Sequence, residues 1–376
     1  MKKILSLALA CAIALGTFVG CSKAPADGSS SSAQGSNGDK DIGAVLIVNT
    51  NLGDKSFCDL SWAGMQKAEK ELGIRIKVVE LGGDATKQIP TFTEFAEDPE
   101  WDIIISGTYN VAESMQEVAQ EYPDKKFILY DAAADYENYD IPNLYSVEHL
   151  QNEGSFLAGA AAAMLTTSGK EGTNPDKKIG FVAGGENTSI NDFLVGYIQG
   201  AVEVDPEMKV LISYIGDFKD SAKGKEMAIA QINQGADVVF QVAAMAGLGV
   251  LDGAKEKGVY AVGVDQDQAM TFEEKDPAMS ALIATSMVKH VDTTVFNAIK
   301  GAVEGTLPFG TVERVGLKEG SVGIAKNKYF DAVFTDEQKA KLVELEEKIA
   351  SGEIKVKTAI GMTAEETQAI KDSVRP

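Results

Sequence analysis

IGAVLIVNTNLGDKSFCDLSWAGMQKAEKELGIRIKVVEL, residues 42–81, holds a strand, a polar glycine-containing turn, an amphipathic helix and a second strand in succession. Ile42 to Val48 is an uninterrupted apolar run bounded by polar residues, the pattern of a strand buried on both faces. Asp59 to Leu72 spaces its apolar residues for a helix, and Arg75 to Leu81 is strand-like again. A strand, a crossover helix and a strand imply a parallel, doubly wound sheet.

The same alternation continues outward. A helical stretch near Phe92 is followed by a strand from Trp101 to Ser106, a helix from Ala112 to Gln120 and a strand from Lys126 to Tyr130. The pattern then restarts with a helix from Glu153 to Leu165, a strand from Lys178 to Val182 and a helix from Asp192 to Val204. Next come a strand from Lys209 to Tyr214, a helix from Lys223 to Gln234, and strands Ala236 to Gln241 and Tyr260 to Val264 around a helix near Leu251. Two wound units of similar size predict two similar lobes, and the 376 residues exceed what one core usually organises. After Val264 follow a strand from Ala281 to Thr285, a long helix from Lys289 to Glu304 and short extended pieces between Gly316 and Ile324. The helix from Thr335 to Ala350 opens on Thr335. The lobes are expected at 42–148 plus about 281–305 and at 149–280 plus about 306–357, with a C-terminal extension at 358–376. A chain that crosses back more than once makes a multi-strand hinge.

Composition narrows the function. With 35 basic and 56 acidic residues the formal charge is −21, a field that repels a phosphate backbone, so nucleic acid is not an expected partner. Arg75, Arg314 and Arg375 are the only arginines, so the guanidinium fork that suits carboxylate and phosphate ligands is scarce. A neutral or weakly charged ligand is expected. At the amino terminus, Lys2 and Lys3 precede an apolar run from Ile4 to Val19 and then Gly20-Cys21, the layout of a secretory signal over 1–20. Small residues ending in cysteine, with Ser22 next, make Cys21 the expected lipidation site, although Phe18 stands where leucine is more usual. Cys11 belongs to the discarded signal. Residues 21–41 are rich in Ser, Gly, Asn and Ala and read as a flexible tether. The membrane is then met through a lipid anchor only, on the extracytoplasmic face. Cys58 remains as the one free thiol, and His149 and His290 have no metal-site spacing, so neither a disulfide nor a metal is expected.

Ligands of open parallel sheets bind beyond the carboxyl ends of the strands, which directs attention to the turns. In the first turn, Asn49 to Phe57, an aromatic ring stands in a polar setting. Phe57 either offers a stacking surface to a ring-shaped ligand or staples the next helix to the sheet. Asp131, ending the strand from Lys126, either accepts hydrogen bonds from a ligand or caps a helix. Phe218 lies in the polar turn Tyr214 to Asp220, and Asp265 stands directly after a buried strand. Gly184-Gly185 and Met245 to Gly249 match neither GxxxxGK[ST] nor GxGxxG. No GxSxG elbow, HExxH or Cys–His pairing is present, so an enzyme is not expected.

Taken together, these turns resemble the basic membrane protein family of bacterial lipoproteins, which includes purine-nucleoside-binding proteins of ABC importers. The likeness spans roughly residues 42 to 325. It rests on GDKSF at Gly53 to Phe57, YPDKKF at Tyr122 to Phe127 with Asp131 following, and NEGSFLAGA at Asn152 to Ala160. GADVVF at Gly235 to Phe240, GVDQDQ at Gly263 to Gln268 and TSMVKHVD at Thr285 to Asp292 complete it. The resemblance implies the type I periplasmic-binding-protein fold, an α/β architecture of two Rossmann-like lobes with a multi-strand hinge. It implies a nucleoside held between aromatic rings, with Phe57 as one plate and Phe218 as the second. Asp131 and Asp265 would accept from ligand hydroxyl or amino groups, Lys289 would donate to a ribose oxygen, and Asp54 would shape the first turn. An ABC permease is the implied partner, the protein is expected as a monomer, and no cofactor is implied. Cys58 replaces an asparagine usual in the family. Where some relatives carry an aspartate for the base edge, this chain offers Asn49, Thr50 or Asn51, and Ala243-Ala244-Met245 lacks a glycine seen in many relatives. The same scaffold binding a sugar or a small signalling molecule, or serving as a surface receptor without transport, is the alternative.

Overall fold

The polypeptide alternates strands and helices from its first described residue. The computed structural model describes residues 42–376; the expected signal, Cys21 and the tether lie outside the described residues. In chain order the first elements are β1 (Gly43–Val48), α1 (Phe57–Leu72), β2 (Arg75–Glu80), α2 (Gln88–Glu97), β3 (Ile103–Gly107), α3 (Tyr109–Glu121), β4 (Lys126–Tyr130) and β5 (Leu144–His149). A second series follows: α4 (Gln151–Thr166), β6 (Lys178–Ala183), α5 (Thr188–Val204), β7 (Lys209–Tyr214), α6 (Ser221–Ile232), β8 (Val238–Val242), α7 (Ala244–Lys257) and β9 (Tyr260–Asp265). The chain ends with α8 (Gln268–Phe272), α9 (Pro277–Leu282), β10 (Ile283–Lys289), α10 (Val291–Glu304), β11 (Val312–Val315), β12 (Val322–Ile324), α11 (Lys328–Val333), α12 (Asp336–Ala350) and α13 (Ala364–Ser373).

Two six-stranded sheets result, ordered β2-β1-β3-β4-β5-β11 and β7-β6-β8-β9-β10-β12. The orders are equivalent, so the second lobe repeats the first. All pairings are parallel except β10 with β12. Every residue of β1, β5 and β9 is buried, as parallel strands covered by helices on both faces require. One face of the first sheet packs Leu46, Ile105 and Ile128 against α1 and α10, and the other packs Ile47, Ile104 and Phe127 against α2 and α3. In the second lobe α4 is buried almost throughout and lies close against α5. A Cβ on Gly196 would fall 2.1 Å from the Asn152 carbonyl oxygen, so that helix pair needs glycine to pack.

The lobe boundaries expected from the sequence need correction. β10 pairs with β9 and belongs to the second sheet, whereas α10, directly after it, packs on α1 of the first lobe. β11 pairs with β5 in the first sheet, and β12 returns to the second. The chain therefore crosses after β5, after β10 and between β11 and β12. Those pairings depend on which neighbour a short strand meets after folding, which its own residues do not encode. The expected strand from Ala281 is instead α9 leading into β10, because Asp276 caps a short helix by accepting from the Met279 N–H, with Pro277 in its first turn.

The C-terminal segment packs into the second lobe. Buried Asp192 on α5 accepts from Thr358 Oγ1 at 2.6 Å and from the Ala359 N–H at 2.8 Å. Val210 N–H donates to the Val374 carbonyl. Among the described residues no helix is long and apolar enough to cross a membrane.

Candidate functional site

The carboxyl ends of both sheets face one cleft of about 880 Å³, its mouth included. It lies at the switch points of the two sheets, where strand order reverses between β1 and β3 and between β6 and β8. From the first lobe come Asn49, Thr50, Asp54, Phe57, Thr108 and Asp131; from the second come Asn187, Phe193, Phe218, Ala244, Asp265 and Lys289. Seven of the eight residues expected at the site from the sequence meet here.

Asn51 is the exception. Its amide donates to Glu80 Oε2 at 2.9 Å, alongside the Leu52 N–H, which holds the loop against the end of β2 and outside the cleft. Asn49 does line the cleft, with its Oδ1 accepting from Gln88 Nε2 at 3.1 Å.

Phe57 begins α1. Its ring stacks on Tyr130 with centroids 5.5 Å apart and planes inclined by 24°, and both rings line the cleft. The turn is held by Asp54, which is buried and accepts from the N–H groups of Ser56, Cys58 and Asp59. It caps the otherwise unpaired first turn of α1. Burial raises the Asp54 carboxyl to about 6 against the pull of those N–H donors. Phe218 lies over the backbone of Gly184 and Gly185. A Cβ on Gly184 would come within 2.3 Å of its ring, so the glycine pair makes room for this plate.

The charged end of the cleft is built around Lys289, the last residue of β10. Its ammonium donates to Asp131 Oδ2 at 2.9 Å and Gln151 Oε1 at 3.1 Å, and lies 4.0 Å from Asp265 Oδ1. It also sits 5.2 Å from the Phe57 ring centroid and 5.0 Å from that of Phe193. On its far side Asp131 Oδ1 is 3.0 Å from His149 Nδ1, while His149 Nε2 is 3.0 Å from Thr294 Oγ1. Burial opposes ionisation of Asp131, but Lys289 and His149 hold its carboxyl below the ordinary range. An ionised carboxylate only accepts, so His149 Nδ1 carries the proton. Asp265 differs: burial raises it, against the opposing effects of Lys289 and of the Ser56 hydroxyl that donates to Oδ2. The cluster thus pairs one firmly ionised carboxylate with one that protonates more readily.

Backbone conformation concentrates here too. Six described non-glycine residues have positive φ, and Thr108, Asp131, Ala244 and Asp265 among them line the cleft. Strained backbone of this kind persists where the surrounding structure over-determines it.

The lobes are tied across the cleft. Gln268 Nε2 donates to the Lys55 carbonyl at 3.1 Å, Lys219 Nζ donates to the Gly82 carbonyl, and the Lys55 ammonium sits 5.3 Å from the Phe272 ring centroid. With Ser56–Asp265 and Lys289–Asp131, these contacts describe a closed cleft. Its walls can hold a flat ring, and its charged end can hydrogen-bond several hydroxyls. Tyr130, His149, Gln151, Phe193 and Thr108 were not anticipated as site residues. Tyr130 carries the one usable signal, since it immediately precedes Asp131 at the strand end. The others depend on tertiary contacts.

The model of the family of PnrA-like ABC transporter substrate-binding proteins matches residues 42–359. The chain is 28% identical over 336 residues to the ABC transporter nucleoside-binding protein BmpA of Lactococcus lactis subsp. cremoris, covering 86% of this chain and 91% of that one. It is 31% identical over 308 residues to basic membrane protein A of Borreliella burgdorferi, covering 79% and 83%. A solute-binding protein of an ABC transporter system from Aeropyrum pernix K1 superposes with a TM-score of 0.77 at 26% identity, covering 89% of this chain and 99% of its own. With two equivalent wound sheets, a type I periplasmic-binding-protein fold and a family match over most of its length, the chain belongs to the Bmp family of PnrA-like ABC transporter substrate-binding proteins.

Proposed function

We propose that the cleft binds a purine nucleoside and presents it to an ABC permease. One observation carries this reading: two aromatic plates, Phe57 and Phe218, line the same cleft as a buried Asp131–Lys289–Asp265 cluster. Flat rings suit a heterocycle, and a charged cluster with both donors and acceptors suits a sugar diol. In this reading Phe57 and Phe218 stack on the base, Asp131 and Asp265 accept from hydroxyls, Lys289 donates to a ribose oxygen, and Asn49 meets the base edge. The Lactococcus relative, described as nucleoside-binding, supports it.

Magnitudes agree with useful affinity. Stacking contributes about 1–3 kcal/mol per base, and hydrogen bonds to charged groups roughly 1.5–3 kcal/mol each. Two plates and three charged partners supply on the order of 10 kcal/mol, from which ordering and closure subtract several. Calorimetric titration with adenosine, guanosine and inosine tests the reading. Phe57→Ala should weaken nucleoside binding at least about tenfold, and unchanged affinity would count against a stacked base. The same reading has the protein exported and anchored through Cys21, so a Cys21→Ser chain that stayed membrane-bound would refute the anchor.

A further inference from the structure

Thr108 joins β3 to α3 with φ 81° and ψ 154°, a region occupied almost only by glycine and costly for a β-branched residue. It stands where a threonine normally caps a helix, as Thr335 and Thr363 do for α12 and α13. Yet its side chain makes no capping hydrogen bond. Its hydroxyl is buried and has no hydrogen-bond partner. Several other polar side chains of the cleft have partners. Thr50 Oγ1 lies 3.2 Å from Cys58 Sγ, Asn187 caps α5, Ser189 accepts from Gln151, and Asn49 accepts from Gln88. Among the described residues that line the cleft, Thr108 is the one whose side-chain oxygen is both buried and unpaired.

Its position indicates what it faces. β4, β3 and β1 are neighbours in the first sheet, and their ends carry Asp131, Thr108 and Asn49 respectively. Adjacent strands lie about 4.8 Å apart, so Thr108 stands one strand from the charged cluster and one from Asn49. A buried hydroxyl without a partner is unfavourable, and the strain that places it adds to that cost. Both are accounted for when a bound molecule completes the hydrogen bond.

We propose that Thr108 is a specificity-determining residue whose hydroxyl makes a direct hydrogen bond to the bound nucleoside, between the sugar-binding cluster and Asn49. The inference rests on the nucleoside reading of the cleft. A ligand with a polar atom at this point satisfies the hydroxyl; one presenting only carbon leaves it unpaired and is rejected.

The test is titration of adenosine, guanosine and inosine into the wild type, Thr108→Val, Thr108→Ser and Thr108→Gly. Valine keeps the shape and the branched Cβ but removes the hydroxyl, and should weaken the preferred nucleoside about tenfold. Serine keeps the hydroxyl and should stay within about threefold of the wild type. Glycine accepts this backbone freely, so it should lose affinity as valine does while the ligand-free melting temperature holds. That outcome separates a lost contact from a damaged fold. Thr108→Val binding as tightly as the wild type overturns the inference and leaves the nucleoside reading standing. A wild type that binds none of the three nucleosides overturns both.

Discussion

Lys289 holds together a group of charges that burial would otherwise disperse. Asp131 and Asp265 are both buried at the cleft, and this ammonium is the cation shared between them. Removing one partner of a buried pair leaves an uncompensated charge and typically costs about 3–5 kcal/mol. Lys289→Met is therefore expected to lower unfolding stability by about that amount, measured by chemical denaturation, and to abolish nucleoside binding. Adding Asp131→Asn to it should recover part of the stability but not the binding; no recovery would mean that Lys289 acts through packing alone. The residues that were legible beforehand are those whose chemistry conflicts with their local setting: Phe57 in a polar turn, Asp131 and Asp265 at the ends of apolar strands. Lys289 was visible only through the family likeness. Asn51 misled because a loop asparagine looks the same whether it meets a ligand or Glu80. Phe193 sits on a buried helix face like any core residue, and His149 reaches Asp131 only because β5 lies beside β4.

At the scale of elements, two buried carboxylates act as structural caps and carry a pH signature. Asp54 binds the first turn of α1, and Asp192 ties α5 to the segment at Thr358. Burial raises each to about 6 from an ordinary value of 3.8. In this window the folded state holds protons that the unfolded chain has released. Their contribution to stability is thus complete below about 3.8 and is lost as pH rises through about 6. The ligand-free protein should melt at a higher temperature at pH 5 than at pH 7.5, and the difference should shrink in Asp54→Asn and Asp192→Asn. Scanning calorimetry across that range checks this; a melting temperature that falls on acidification would contradict it. Strand and helix alternation was legible over most of the chain because buried parallel strands are continuous apolar runs. β5 and β11 were not read as strands, because their polar residues break the apolar run. Glu148 in β5 is satisfied by Arg314 Nε of β11 at 2.8 Å and by the Tyr109 hydroxyl, contacts that exist only after folding.

For the whole molecule, equivalent strand order in the two sheets places the carboxyl ends of both against each other. Three crossings between the sheets supply a hinge, and contacts such as Gln268 to Lys55 hold the closed form. Repetition of the wound unit was readable from residues 42–264, but the crossing points were not. They depend on β10 joining one sheet and α10 the other lobe, a choice made by packing. A nucleoside bound as proposed would bind the folded state alone and so stabilise it: ligand at a hundred times its dissociation constant adds about 2.7 kcal/mol. The most direct measurement is a thermal-shift screen of the purified protein against nucleosides, free bases, sugars and amino acids at equal concentration. The account predicts that purine nucleosides raise the melting temperature by roughly 5 °C or more, while free bases, sugars and amino acids leave it in place. A melting temperature raised by a sugar or an amino acid and unmoved by every nucleoside would contradict it.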